Sequence, residues 1–392
     1  MNKFIPAILF LLLAAALYYG LAEKGNKPVA HTIPKSEAAS PAKPAQAPAD
    51  FHVESSFSKE EVEHKFGTTP DKVFYPDTAI DTDEVPSVAI KESVSAETPL
   101  HVYQIAADTY MFYGNIAEVD ENNRGFNGNA GFVITQDSVV VIDSLGSPKL
   151  GKRMIATIRS KTDKPIKYLI ITHNHPDHAY GAIAFRELSG VTVIGHEGTM
   201  KYIESERIEH SVAYRNSFIK ADMQGFKPVK PDILVGGERF SSQRIHTGGK
   251  TFDIYNSGAH HSYGDLVVHQ VEDKIVWISD LAFNNRVTFM ADGHLEQAIE
   301  GQDWLLKNFA DAKLMVPGHG SAQTPPFPMV GKTQAYMKRL RQAVTDAINN
   351  DMELQEAMDT IEFTDWKDLR LYQLNHKKNV DFVYRKLEEE LF

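Results

Sequence analysis

The sequence predicts an α/β fold class with an additional helical region at its C-terminal end. Between residues 139 and 194, short β-branched apolar runs alternate with segments of helical periodicity, a pattern typical of a sheet covered by helices. Several of these apolar runs end in histidine or aspartate. From Gly331 to Phe392, apolar residues such as Tyr336, Leu340 and Val344 recur at helix spacing.

The N-terminal part of the sequence contains one long apolar run, from Phe4 to Ala22, with Lys3 in front of it. Two interpretations stay open. In a cleaved signal peptide, Gly20 and Ala22 would be the small residues before the cut. The length of the run and its aromatic outer edge suit an uncleaved membrane anchor instead. Either interpretation predicts a periplasmic or otherwise extracytoplasmic protein, and an anchor would tether it to the inner membrane.

The chain of 392 residues divides into four predicted segments. Residues 1–22 are the signal or anchor. Residues 23–98 form a largely disordered linker, because their first half is rich in Ala, Pro, Lys and Ser and has almost no large apolar residue; the second half is expected to be partly ordered. Residues 99–330 form the main domain, and residues 331–392 form a helical extension.

The overall composition excludes some functions. The formal net charge of −11 disfavours a nucleic-acid partner. The chain has no cysteine, so any metal must be held by His, Asp or Glu. A small-molecule substrate is expected, and the sequence carries no signal for the oligomeric state.

Most elements of the main domain are predicted from periodicity and turn residues. Residues 102–113 alternate apolar and polar side chains, as a strand pair at a sheet edge does. Ser147-Pro148 begins a helix, with proline at the first helical position. Further helices are predicted over residues 179–188 and around residues 202–214. Strands are predicted at 132–134, 139–142, 167–172, 191–194, 251–255, 266–268, 274–279 and 313–316.

A segment His-Asn-His-Pro-Asp-His begins at His173, directly after an apolar strand. Three imidazoles and a carboxylate this close together could not be buried without partners, and a metal satisfies them at once. In an extended segment His173 and His175 point the same way. Asp177 and His178 open the next helix, where they can face back toward the strand end. This geometry suits two adjacent metal ions.

The histidine motif after a hydrophobic strand resembles that of the metallo-β-lactamase superfamily. The resemblance implies an αββα sandwich for residues 99–330, followed by the helical extension, and it implies a metal-dependent hydrolase. A narrower similarity is to the periplasmic zinc metallohydrolases associated with quinoprotein relay and sulfur-oxidation systems. It covers residues 129–186, 256–286 and 336–389.

The resemblance also implies further metal ligands downstream. His261 matches the third histidine of the family by its spacing to Asp265, with His260 as the alternative. Asp280, at the end of an apolar strand, resembles the position that bridges two metals. His319 lies in the Pro-Gly-His-Gly segment typical of the superfamily.

Asp143 also ends an apolar strand. By itself it could be a helix cap. In the family, the matching aspartate orients a metal-bound histidine, which fixes the tautomer and basicity of that histidine.

Imidazole and carboxylate ligands without thiolate suit zinc, two ions per chain, while iron and manganese stay open. The expected arrangement places His173, His175 and His261 on one ion, Asp177, His178 and His319 on the other, and Asp280 as the bridge. A water shared by the ions would have its pKa lowered from about 15.7 to about 7, giving a bridging hydroxide as the nucleophile. Asp177 is the predicted catalytic residue, since it could orient this water.

The main hypothesis is an exported binuclear zinc hydrolase that cleaves an ester, thioester or lactam bond. One alternative is an oxidoreductase of the persulfide dioxygenase type, which uses a single iron held by two histidines and an aspartate. That alternative would leave Asp177, His178 and His319 without a clear role. An alkyl sulfatase-like hydrolase of sulfate esters is a further alternative.

Overall fold

The computed structural model describes residues 91–391. The predicted signal or anchor at residues 1–22, and the linker as far as residue 90, lie outside this part of the chain. Within residues 91–391, no helix has both the length and the apolar composition that crossing a bilayer requires.

Seven strands form the first sheet, in the order of the chain from β1 to β7. Strands β1 to β4 pair antiparallel, and β4 to β7 pair parallel. The strands are β1 (Tyr103–Ala106), β2 (Thr109–Phe112), β3 (Ala130–Ile134), β4 (Val139–Ile142), β5 (Ile166–Ile171), β6 (Thr192–His196) and β7 (Ile233–Val235). The edge pair predicted over residues 102–113 is confirmed.

Five strands form the second sheet, in the order β12-β11-β10-β9-β8. All neighbours pair antiparallel except β11 and β12, which are parallel. The strands are β8 (Ser242–Thr247), β9 (Lys250–Gly258), β10 (Asp265–Gln270), β11 (Ile275–Ser279) and β12 (Leu314–Pro317).

Helices cover both sheets and form the C-terminal extension. In chain order they are α1 (Pro148–Lys161), α2 (Pro176–Ala179), α3 (Ala182–Arg186), α4 (Glu197–Ile203), α5 (Arg207–Ile219), α6 (Leu295–Asn308), α7 (Pro328–Asn349), α8 (Leu354–Thr360) and α9 (Tyr372–Leu391). The predicted start of α1 is confirmed, since the Ser147 hydroxyl accepts a hydrogen bond from the Leu150 N–H at 3.2 Å.

The two sheets pack face to face, with a helical layer outside each one. Strand β4 shows this arrangement, because Val140 and Ile142 belong to the core between the sheets, while Val139 and Val141 face α1 and α3. On the other side, β11 and β12 pack against α6 and the start of α7. These four layers confirm the predicted αββα sandwich.

The prediction of one continuous helix over residues 179–188 was wrong. The structure has two short helices, α2 and α3, interrupted at Gly181. The Gly181 N–H donates to the Leu145 carbonyl at 2.9 Å, and a Cβ at Gly181 would lie 1.9 Å from the Ser144 carbonyl oxygen. Because the backbones of residues 144–145 and Gly181 approach this closely, the helix is interrupted at Gly181.

The helix predicted around residues 202–214 is likewise divided into α4 and α5. His196 ends β6. Its ring accepts a hydrogen bond from the Gly198 N–H at 2.8 Å and therefore caps α4.

The helical extension packs around an apolar core that it shares with part of the main domain. Val287, Met290, Ala298 and Ile299 from the main domain pack into this core together with apolar residues of α7, α8 and α9. The extension is therefore continuous with the segment that follows β11.

Gly131 on β3 provides a test of the packing between the sheets. A Cβ at this position would lie 2.1 Å from the ring of Trp277, which is itself buried. We expect Gly131→Ala to lower the free energy of unfolding by about 2 kcal/mol, because neither sheet can move away freely. The midpoint of urea unfolding measures the effect.

Gly331→Ala is the matched control, since nothing lies within 4 Å of a Cβ there and the residue is exposed on α7. This control should be neutral or stabilise by up to about 1 kcal/mol. Equal unfolding midpoints for the two variants would contradict the packing described between β3 and β11.

Candidate metal centre

The residues predicted as metal ligands come together at one edge of the sandwich. His173 follows β5, Asp280 follows β11 and His319 follows β12. His261 lies in the turn between β9 and β10, where the Asp265 carboxylate accepts hydrogen bonds from the N–H groups of His261 and Ser262. Strand ends of both sheets therefore supply the site.

Two groups of side chains have the spacing needed to hold metal ions. In each group the donor atoms lie within 4.8 Å of one another. The first group contains His173, His175, His261 and Asp280, and the second contains Asp177, His178 and His319. This is the division expected from the sequence, although the ligand roles themselves stay predictions.

The Asp280 carboxylate lies between the two groups. Its Oδ2 is 3.1 Å from His261 Nε2 and 3.3 Å from His319 Nε2, and its Oδ1 is 3.4 Å from His178 Nε2. Burial raises the pKa of Asp280, but the charges of these three histidines outweigh burial and hold the pKa well below its usual range. The carboxylate is therefore ionised and placed to contact a cation on either side.

Glycines permit the close approach of the strands at this site. A Cβ at Gly318 would lie 1.8 Å from Asp280 Oδ1. A Cβ at Gly128 would lie 3.1 Å from His178 Nε2. The glycine-rich turn after β2 and the Pro-Gly-His-Gly segment thus leave room for the donor atoms to meet.

Several donor atoms in the centre have no hydrogen-bond partner among the described residues. His173 Nε2, His178 Nε2 and Asp280 Oδ1 are all buried in this condition. Buried polar atoms normally have hydrogen-bond partners, so a group of unpartnered nitrogen and oxygen atoms facing one another indicates a site for a cation. The histidine and aspartate side chains fit a bound divalent metal.

Asp143 is in contact with the histidine motif, as the resemblance implied. Its Oδ2 is 2.9 Å from His178 Nδ1, and its carboxylate also accepts hydrogen bonds from the Thr172 N–H and hydroxyl, at 2.8 and 2.9 Å. Because Nδ1 is engaged, Nε2 of His178 is left to face the centre. Burial lowers the pKa of His178, but Asp280, Asp177 and Asp143 outweigh burial and raise it to about 9.

Asp292 was missed by the sequence analysis. It lies in the segment before α6, and its Oδ2 is 3.2 Å from His175 Nε2. Burial raises the pKa of Asp292, but the hydrogen bond to His175 and the charge of Arg207 lower it to about 2. The ionised carboxylate can only accept, so the His175 proton lies on Nε2 and Nδ1 is free for an ion.

His260 and His261, the two candidates for the third histidine ligand, lie in different surroundings. His261 belongs to the first group of donors, whereas the ring of His260 packs against Gly301 on α6. Burial lowers the pKa of His260 to about 4, so this histidine is neutral at pH 7. The geometry thus favours His261 as the ligand.

Asn127 extends the site on its outer side. Its amide Nδ2 donates to Asp177 Oδ2 at 3.1 Å. Burial raises the pKa of Asp177, but the charges of His178, His319 and Arg215 outweigh burial and lower it. Asp177 is therefore an anion with one oxygen held in a fixed direction.

A four-layer sandwich with a buried cluster of histidine and aspartate at its edge defines a metal-dependent enzyme. Residues 123–319, half of the chain, match the model of the metallo-β-lactamase superfamily. The chain belongs to this superfamily, and it is a metal-dependent hydrolase.

Individual relatives agree with this family. The chain is 24% identical over 204 residues to a type 2 metallo-β-lactamase of Bacillus sp. (strain 170), an alignment that covers 50% of this chain and 69% of that protein. It is 22% identical over 223 residues to the metallo-β-lactamase IND-1 of Chryseobacterium indologenes, covering 56% of this chain and 78% of the relative.

A solved structure shares the fold over a longer stretch. It is the sec-alkylsulfatase Pisa1 from Pseudomonas sp., with a TM-score of 0.58 and 15% identity over 73% of the present chain. The chain spans half the length of the alkylsulfatase. These comparisons identify the superfamily, so the narrower similarity to the quinoprotein relay and sulfur-oxidation metallohydrolases stays a prediction.

The contact between Asp292 and His175 predicts an effect on metal affinity. We expect Asp292→Asn to weaken zinc binding by about 10- to 100-fold, because the neutral amide no longer fixes the His175 tautomer as an ionised acceptor does. Competition with a chromogenic chelator measures the affinity.

The matched control is Asp311→Asn, which removes a carboxylate paired with Lys274 on the surface. This control should leave zinc affinity unchanged. If Asp292→Asn binds zinc as tightly as the wild type, Asp292 does not position His175.

Proposed function

We propose that the protein is a binuclear zinc hydrolase that cleaves an ester, thioester or lactam bond. The observation that carries this proposal is the pair of donor groups joined by Asp280. A single ion would need only one of these groups. The presence of both favours two ions side by side.

The residues that would hold the ions follow from the two groups. His173, His175 and His261 would hold the first ion, Asp177, His178 and His319 the second, and Asp280 would contact both. Zinc suits this donor set, and when bound it supplies Lewis acidity and lowers the pKa of a coordinated water to about 7.

Within residues 91–391, the hydroxyls that contact His173 are not placed as nucleophiles at the first group. The Thr172 and Ser279 hydroxyls lie 3.2 and 3.3 Å from His173 Nδ1, and 2.7 Å from each other. They therefore contact the ring nitrogen opposite the one that faces Asp280. With no cysteine in the chain either, water is the nucleophile that the site supports.

Asp177 is the residue best placed to act on that water. Its pKa is lowered and its Oδ2 accepts from Asn127, so it is a fixed anion at neutral pH. An anion in this position can orient the water and accept its proton. Asn127 would hold the carboxylate in the direction that this role requires.

The dioxygenase alternative is less well supported. An iron held by two histidines and an aspartate would use part of the first group and leave Asp177, His178 and His319 without a function. Those three side chains lie together and buried or half-buried, at a desolvation cost that a structural role does not explain.

The function can be tested by metal analysis and a substrate panel. We expect the full chain, purified without added metal, to contain close to two zinc ions and to hydrolyse at least one ester, thioester or lactam. Chelation should remove the activity, and zinc should restore it. One iron per chain, or turnover of sulfate esters alone, would contradict the proposal.

Two histidine variants test whether the second group of side chains holds one of the two ions. His178→Ala removes one donor of the second group, so it should lose about one of the two ions and most of the activity. His246→Ala is the matched control, because His246 is exposed on β8 and belongs to neither group of candidate metal ligands. It should keep both ions and full activity.

We also propose that the protein is exported. The apolar run from Phe4 to Ala22, with Lys3 before it, supports a signal or an anchor. Expressed in a Gram-negative host, the chain should be found in the periplasm or on the outer face of the inner membrane. Recovery of the protein in the cytoplasmic fraction would refute export, and alkaline washing of the membranes distinguishes an anchor from a released protein.

A further inference from the structure

A small pocket lies behind the histidine motif, on the outer side of the first sheet. It is formed by the end of β5, by α2, α3, α4 and the start of α5, and by residues 226–231. Its space is about 380 Å³, including the part that is open to solvent. Within residues 91–391, none of the seven candidate metal ligands lines this pocket, so it is distinct from the metal centre.

The wall of the pocket is largely apolar. Ile203 on α4 and Ile208 on α5 contribute to it, and the Phe226 ring packs against Tyr180 with 4.4 Å between the ring centres. In the described part of the chain, no charged side chain lines the pocket. This composition favours a neutral ligand, because a charged one would lose its hydration without compensation.

Asn174 is a polar residue in this wall. It stands between His173 and His175 in the motif, and side chains alternate in an extended segment, so its amide lies on the side opposite to the two rings. The side chain is 1% exposed, and neither Oδ1 nor Nδ2 has a hydrogen-bond partner among residues 91–391. A buried amide without partners destabilises the fold, so its presence here calls for a ligand.

Thr199 on α4 is a second polar residue of the pocket. It is buried, and its Oγ1 also has no hydrogen-bond partner within residues 91–391. The hydroxyls of Tyr180 and Tyr202, by contrast, lie 2.9 Å apart and bind each other. The pocket therefore keeps one amide and one hydroxyl for a ligand in an otherwise apolar wall, which is the usual composition of a small-molecule site.

We propose that this pocket binds a small neutral molecule that carries an N–H beside a carbonyl, as in a cyclic amide. The Asn174 side chain presents a carbonyl oxygen and an N–H side by side, and the ligand would complement both at once. Its apolar part would lie against Ile203, Ile208 and Phe226. Such a ligand would bind together with a substrate and not in its place. The inference does not depend on the proposed hydrolase function.

Two related ring compounds test the proposal on the wild type. Both 2-pyridone and N-methyl-2-pyridone have a carbonyl, but only 2-pyridone has an N–H. Calorimetric titration of the full chain as purified should give one 2-pyridone per chain, with a Kd of about 1 mM or lower. N-methyl-2-pyridone should bind about tenfold more weakly or worse, because it leaves Asn174 Oδ1 unpaired. No binding of 2-pyridone, or equal affinity for both compounds, would overturn the inference.

A pair of tryptophan variants locates the bound ring. Ile203→Trp places an indole in the pocket and should weaken 2-pyridone binding by about tenfold or more. Leu234→Trp is the matched control, since Leu234 is 45% exposed on β7 and does not line the pocket. It should leave the affinity unchanged. If Ile203→Trp binds 2-pyridone as the wild type does, the compound lies elsewhere and the proposed site is wrong.

Asn174→Leu tests the part played by the amide. It removes the unpartnered polar atoms, so the unfolding midpoint without ligand should stay the same or rise, while the preference for 2-pyridone over its N-methyl form should disappear. Thr199→Val repeats the test away from the motif, keeps the shape of the side chain and should weaken 2-pyridone binding by about 3- to 10-fold. Unchanged preference in Asn174→Leu, or unchanged affinity in Thr199→Val, would contradict the proposed contacts.

Discussion

The burial of ionisable side chains around Asp280 is the constraint on which the rest of the site depends. The carboxylate lies 3.1 to 3.4 Å from nitrogens of three histidines, and it is almost completely buried. Removing these groups from water carries a desolvation cost, and several of the facing atoms have no hydrogen bond among the described residues to offset it. The same groups form a preformed site for cations. Metal binding to the folded chain can supply the stability that burial of these groups removes.

The fold fixes the positions of the donor atoms at this site. His173, Asp280 and His319 follow the ends of buried strands, and Asp177 and His178 lie in the first turn of a helix. His261 lies in the turn between β9 and β10, where its N–H donates to the Asp265 carboxylate. Links between the sheets hold the strand ends in register, as in the hydrogen bond of 2.8 Å from the Leu266 N–H to the Thr172 carbonyl. Glycines at 128 and 318 occupy the points where any larger residue would push the donors apart.

The parts of this arrangement that the sequence predicted are those encoded locally. Periodicity revealed the strands, and the dense motif from His173 to His178 indicated metal binding without knowledge of the fold. Asp292 could not be found in the same way. It approaches His175 across 117 positions of sequence, and it neither ends a strand nor belongs to a short motif. Similarly, the break at Gly181 arises from its contact with Ser144, which helical periodicity does not contain.

The segment after Asp280 connects the part of the chain that matches the superfamily model with the helical extension. The superfamily match ends at residue 319, whereas the helices α7 to α9 lie beyond it. Through Asn375 and Asn379, α9 binds the backbone of residues 287–290. The family core thus supplies the two groups of candidate metal ligands, and the extension fixes the backbone of a segment that follows Asp280.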